Sequence, residues 1–232
     1  MFLDWTYIVL VLPAIIFSVW VSVRVKTTFN KYQNQMANSR LTGSGAVHAI
    51  LNMYGVSSVR VERISGTLTD HFDPKTRTIR LSDGVYNSAS TAAIGVAAHE
   101  VGHAMQYATN YALIKIRAAI VPVTNIGSKL SMPLILIGLL LSSFWVVFVW
   151  VAYLGIACFS LCVLFQLVTL PTEFNASKRA LIALQKCGIL SHSELESSKK
   201  VLWAAAMTYV AALVVSLSQL LRYLFLLNRR RR

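Results

Sequence analysis

From Met132 to Leu170 the chain contains no Asp, Glu, Lys or Arg. A bilayer crossing by a helix takes about 20 apolar residues, so this one block is long enough for two. A second apolar block runs from Tyr7 to Val23, interrupted only by Pro13 and a few serines, and a third from Val201 to Leu221. Over all 232 residues the chain is 56% hydrophobic and only 13% charged, well away from the balance of soluble domains. The expected fold class is therefore a mainly α integral membrane protein with about four apolar membrane helices.

Charge placement bears on orientation and partners. The first apolar block lacks a basic segment ahead of it, with Asp4 there instead, and no small-residue cleavage pattern follows it. That argues for a retained anchor rather than a signal peptide. Arg24, Lys26 and Lys31 come after the block, which predicts a cytosolic C-terminal side. The net charge of +13 lies mostly beside the apolar blocks and in the tail Arg229 to Arg232. Such residues set topology and meet lipid headgroups. No base-recognition motif accompanies them, so no nucleic-acid partner is expected. A full crossing by Val201 to Leu221 would leave the arginine tail outside, against the positive-inside tendency; an interfacial or re-entrant block is the alternative. Cys158, Cys162 and Cys187 lack the spacing of a disulfide framework or zinc knuckle and read as small buried apolar residues. The apolar blocks carry no intramembrane ionisable residue, which disfavours a transporter.

The polar stretches predict a small α+β part. Phe29 to Leu41 reads as a connecting helix. Ser44 can cap a helix through Tyr54, with Gly55 as its stop. Ser58 to Arg63 alternates like a half-buried strand, and Gly66 to Leu81 reads as a hairpin turning at Asp73-Pro74-Lys75-Thr76. A helix is expected from Thr91 to about Tyr107. Trp150, Tyr153 and Gly155 mark the expected turn inside the uncharged block, and Glu173 is expected to open a helix reaching about Lys186.

That Thr91 helix contains His99-Glu100-Val101-Gly102-His103, the pattern H-E-x-x-H. Residues four apart share a helix face, so the two imidazoles converge on one point. A Zn²⁺ ion there takes both rings and leaves room for a third ligand and a water. Glu100, about 100° further round the helix, falls beside the metal, where a general base is needed. Two histidines and a glutamate in a helix of small apolar residues would be costly to bury without such a partner. The third ligand has two candidates. Glu173 is the only acidic residue between Glu100 and Glu194, and two crossings between His103 and Glu173 return the chain to the same side. His71, in the hairpin, is the rival.

These words of sequence occur in an order that resembles a known group. Leu68 to Pro74, Arg80 to Ser82, Val96 to Gln106 and Thr169 to Ser177 are similar to the YugP-like neutral zinc metallopeptidases of bacterial membranes. That group is itself similar to the HtpX/Ste24 gluzincins, in which two membrane helices separate H-E-x-x-H from a glutamate ligand. The resemblance implies one zinc ion held by His99, His103 and Glu173, with Glu100 catalytic, in a gluzincin-like core with a small sheet beside the metal helix. Asn175 departs from the family pattern, which more often has Asp there; Asp would orient a zinc-bound histidine more strongly, so the departure bears on full activity. Asn175, His71 and His192 are candidates for orienting ligands or meeting substrate, and the latter two for stabilising an oxyanion.

The expected division is an N-terminal membrane anchor over 1–28 and a cytosolic-face catalytic part over 29–130. A transmembrane hairpin follows over 131–170, then a helix with the third ligand over 171–200, and a C-terminal membrane helix with basic tail over 201–232. The expected function is peptide-bond hydrolysis by a metalloendopeptidase of the bacterial cell membrane, multi-pass, with its site on the cytosolic side. The alternative is a catalytically weak zinc-containing scaffold or adaptor. Partners are a peptide or protein substrate and the lipid bilayer, and a homo-oligomer is compatible with the sequence.

Overall fold

The structure, a computed structural model, describes residues 4–56 and 58–230. Residues 1–3 of the expected anchor and Arg231 and Arg232 of the basic tail lie outside them. After a π-helical turn at Tyr7–Val11 come α1 (Leu12–Gln33) and α2 (Gly43–Met53). Strands β1 (Arg60–Ile64), β2 (His71–Asp73) and β3 (Thr78–Ser82) are followed by α3 (Asp83–Tyr86) and α4 (Thr91–Ala108). Three long helices complete the chain: α5 (Ala112–Leu141), α6 (Val147–Lys186) and α7 (His192–Arg230). Among the described residues, four helices are long and apolar enough to cross a membrane: Tyr7–Gln33, Ala112–Leu141, Val147–Lys186 and His192–Arg229.

The chain forms two compact units. One takes residues up to 21, 116–170 and 208 onward; the other takes 22–115 and 171–207.

In the first unit large apolar side chains face outward, among them Leu140, Trp145 and Trp150, as suits a hydrocarbon surround. Helix contact in such a unit relies on small residues that let backbones approach. A Cβ on Gly138 would overlap the Ala152 backbone, and one on Gly155 would come within 2.7 Å of the Ile135 nitrogen. Gly155 is thus a packing position inside α6. The turn expected near Trp150, Tyr153 and Gly155 falls instead at 142–146. The first arm of the hairpin starts earlier than expected, because α5 continues through Lys115, Arg117 and Lys129 into the uncharged block. Within this unit the Arg222 guanidinium donates to Asp4 at 3.2 Å and lies 5.2 Å from the centre of the Tyr7 ring. Helix α7 runs unbroken, so the third apolar block contains no re-entrant turn.

The second unit contains a three-stranded sheet in the order β1-β3-β2. The β2–β3 hairpin pairs antiparallel, with His71 opposite Arg80 and Asp73 opposite Thr78, about the expected turn. Asp73 accepts from the Thr76 hydroxyl and the Lys75 N–H; these bonds, with Arg80 beside it, hold its pKa down to about 2. β1 pairs parallel to β3, so the central strand is β3, buried at Ile79 and Leu81. Asp70 fastens the hairpin by accepting from the Ser82 N–H at 2.7 Å and the Ser82 hydroxyl at 2.9 Å. Thr42, not Ser44, caps α2: its Oγ1 accepts from the Gly45 N–H, while Ser44 donates to the Tyr86 carbonyl.

Candidate metal centre

Ser90 starts α4 by accepting the Ala93 N–H at 3.2 Å, the usual service of an N-cap serine. Ala92, Ala93, Ile94, Ala97 and Ala98 then have no exposed surface. The small residues of this run admit neighbouring helices at close range. A Cβ on Gly95 would meet Ser198 of α7 at 3.1 Å, and one on Gly102 would overlap the Ala176 carbonyl oxygen of α6. Gly102 fills one of the two unspecified places in H-E-x-x-H. Its missing side chain lets the two backbones touch, and Glu173, three residues before Ala176, shares the contacting face of α6.

Three side chains meet there. His99 Nε2 lies 3.2 Å from Glu173 Oε2, and His103 Nε2 lies 3.5 Å from the same oxygen. The potential ligand atoms of His99, His103 and Glu173 all fall within 4.8 Å of one another. The imidazole rings stand edge to face, at 85°. Glu173 is 2% exposed. A carboxylate so deep in a protein needs cationic or metal partners. Ligands about 2.0–2.1 Å from a tetrahedral ion sit about 3.3–3.4 Å from each other, so these separations suit zinc. Two imidazoles and one carboxylate are also a donor set of catalytic zinc. The group can bind a metal ion. Burial works against charge on His103, but the hydrogen bond to Glu173 and the charges of Glu100 and Glu173 outweigh it. They hold the imidazole above its ordinary range.

Glu173 sits well inside α6 and not in a first helical turn, because the helix continues through Pro171. It is therefore no dipole or capping partner. Glu100 is 7% exposed, and its charge acts on the neighbouring His103. Asn175 contacts neither imidazole: its Oδ1 accepts from Gln106 Nε2 at 3.0 Å and from Arg179 Nε at 2.8 Å. Gln106 in turn accepts from His103 Nδ1 at 3.0 Å. The Ser177 hydroxyl is 3.1 Å from His99 Nδ1. Gln106 and Ser177 escape a reading for ligands, since neither is one. Their spacing gives them away: each lies three or four residues beyond a member of the group, on its own helix face.

His71 is exposed on β2 with its Nδ1 against the Thr69 carbonyl, and His192 is exposed at the start of α7. Neither joins the group. β2 runs alongside α4, where Phe72 and Tyr107 pack with ring centres 5.6 Å apart.

The profile of the family described as "Putative neutral zinc metallopeptidase" matches residues 7–228. The chain belongs to this family. It is also 44% identical over 220 residues to "Putative membrane protease YugP" of Bacillus subtilis (strain 168), covering 95% of this chain and 96% of that protein. No solved structure matches the chain. Zinc is thus the metal of the family, and the four apolar helices agree with the membrane character of the relative.

Proposed function

We propose that this membrane protein is a zinc metalloendopeptidase with a gluzincin-type core, in which His99, His103 and Glu173 hold the metal. The observation that carries the reading is the meeting of two α4 imidazoles with the buried Glu173 carboxylate of α6, with the buried Glu100 directly after the first imidazole. Zinc bound there supplies a water acidified towards pH 7 and a Lewis acid for the scissile carbonyl. Glu100 takes the proton from the attacking water and returns it to the leaving amine nitrogen. Glu173 and the two imidazoles keep their positions through the reaction, held by Gly102 and the hydrogen bonds behind each ring. The outer edge of β2 is unpaired among the described residues. It offers backbone groups to which a peptide adds as a further strand, with His71 on that edge.

Four crossings would make the chain multi-pass and place 34–111 and 187–191 on one side. Arg24, Lys26, Lys31, Lys178, Arg179 and Lys186 cluster toward that side, and the 142–146 turn has no charge. The positive-inside tendency then puts the site on the cytosolic face of a bacterial membrane and the arginine tail outside.

Glu100→Gln decides the reading. The purified variant should hold as much zinc as the native chain yet cleave an unstructured peptide on the order of 10²–10⁴ times more slowly. Unchanged, chelator-sensitive cleavage would remove Glu100 from the mechanism. No cleavage by either protein, with full zinc, would leave a zinc-containing scaffold.

A further inference from the structure

The geometry points to Gln106 as the positioning residue that presents His103 to the metal in a single tautomer, with Asn175 and Arg179 setting the direction of its amide. The inference rests on the zinc reading above and concerns residues that bind no metal themselves.

The direction of each hydrogen bond in this row follows from the one before it. An arginine only donates. Arg179 Nε, 2.8 Å from Asn175 Oδ1, therefore requires an acceptor at that atom. With the oxygen fixed there, Gln106 must present its amide nitrogen to Asn175, at 3.0 Å. The same nitrogen donates to the Thr172 backbone carbonyl at 2.8 Å, which could not accept the reverse orientation either. Both amide hydrogens of Gln106 are thereby spent on acceptors, and rotating the amide would set oxygen against oxygen twice. The remaining atom, Gln106 Oε1, faces His103 Nδ1 at 3.0 Å and can only accept. His103 must then carry a proton on Nδ1, which leaves Nε2, the atom facing Glu173, as its ligand atom.

This row has a feature that a simple packing role would not require. Gln106 has no exposed surface, and all of its polar atoms are engaged in one orientation. It also ties the two helices that carry the ligands, since it reaches from α4 to both Thr172 and Asn175 of α6. Arg179 is itself held, lying 5.7 Å from the centre of the Tyr111 ring. Asn175, seen in sequence as a weakened substitute for Asp, needs only its oxygen for this task.

The test is zinc affinity of the full chain in detergent, measured by competition with a chromogenic chelator, together with the visible spectrum of the Co²⁺-loaded protein. Gln106→Leu should bind zinc on the order of 10–100 times more weakly, the usual loss when a ligand's orienting partner is removed. Because that variant also leaves buried polar groups unpaired, Asn175→Asp and Asn175→Leu form the second arm. Asp keeps an oxygen for both Gln106 and Arg179 and should retain native affinity and Co²⁺ spectrum. Leu removes the oxygen and should weaken zinc by on the order of 10-fold. Thermal unfolding of the metal-free proteins identifies any variant that has lost its fold. Native affinity in Asn175→Leu, or equal weakening in Asn175→Asp, would overturn the inference. A native chain that took up no zinc would instead overturn the reading on which it rests.

Discussion

His99 and His103 lie one turn apart on the same helix and face the same carboxylate oxygen, but what stands behind each ring differs. Behind His103 is an amide whose orientation is dictated by a carbonyl and, through Asn175, by an arginine. Behind His99 is the hydroxyl of Ser177, which donates or accepts with equal ease. One imidazole has its proton assigned by its surroundings; the other selects its own as a ligand arrives. A site can thus be rigid on one flank and adaptable on the other while using two copies of one residue.

The largest effect should come from Gly102→Ala, which strikes both flanks together. Its methyl group would overlap the Ala176 carbonyl, so the helices must part. Overpacking of this kind costs about 1–3 kcal/mol or more. The purified variant should show lower thermal stability and lose zinc to a chelator the native chain withstands. Native zinc retention there would mean that backbone contact does not set the site.

Glu173→Ala should follow, releasing zinc while leaving the fold largely intact, as metal analysis and circular dichroism would report. Full zinc occupancy in that variant would remove Glu173 from the ligand set. Next, Ser177→Ala should weaken zinc by about 1 kcal/mol, the net worth of one hydrogen bond. A loss equal to that of Gln106→Leu would erase the contrast between the two flanks.

The smallest effect on the metal is expected from Asp70→Asn, whose carboxylate bonds to Ser82 and takes no part in the group. Burial raises the Asp70 pKa, against the hydrogen bonds from Ser82 that lower it. The folded chain therefore takes up this proton more readily than the unfolded one. Stability falls as pH rises from 3.8 through the raised value. The Asn variant should lose that part of the pH dependence in thermal melts and bind zinc as the native chain does.

Much of the fold was legible in the sequence. The hairpin was legible because Pro74 and the flanking alternation leave few registers, and α4 because a run of small apolar residues leads into H-E-x-x-H. The parallel pairing of β1 with β3 was not, since alternation shows which face is buried but not which neighbour it joins. The turn at 142–146 was hidden because Gly155 looks the same whether it opens a turn or admits a neighbouring helix. Glu173 looked like a helix start because Pro171 stands just before it, and a proline inside a long apolar helix leaves the same trace. The two imidazoles and Glu173 could be nominated by residue type, which is what metal binding selects. Gln106 could not, because its importance lies in which atom it turns inward, and that is settled by Thr172 and Asn175 some seventy positions along the chain.

Gly102 carries one more consequence. Where two main chains already touch, the gap between them has a hard floor and cannot shrink or stretch by rotating a side chain. An ion of zinc's radius fits donors spaced by such a floor, whereas calcium, which wants oxygens at about 2.3–2.6 Å and more of them, would have to wedge the helices open. Discrimination by size would then belong to a hydrogen atom where any other residue would have carbon.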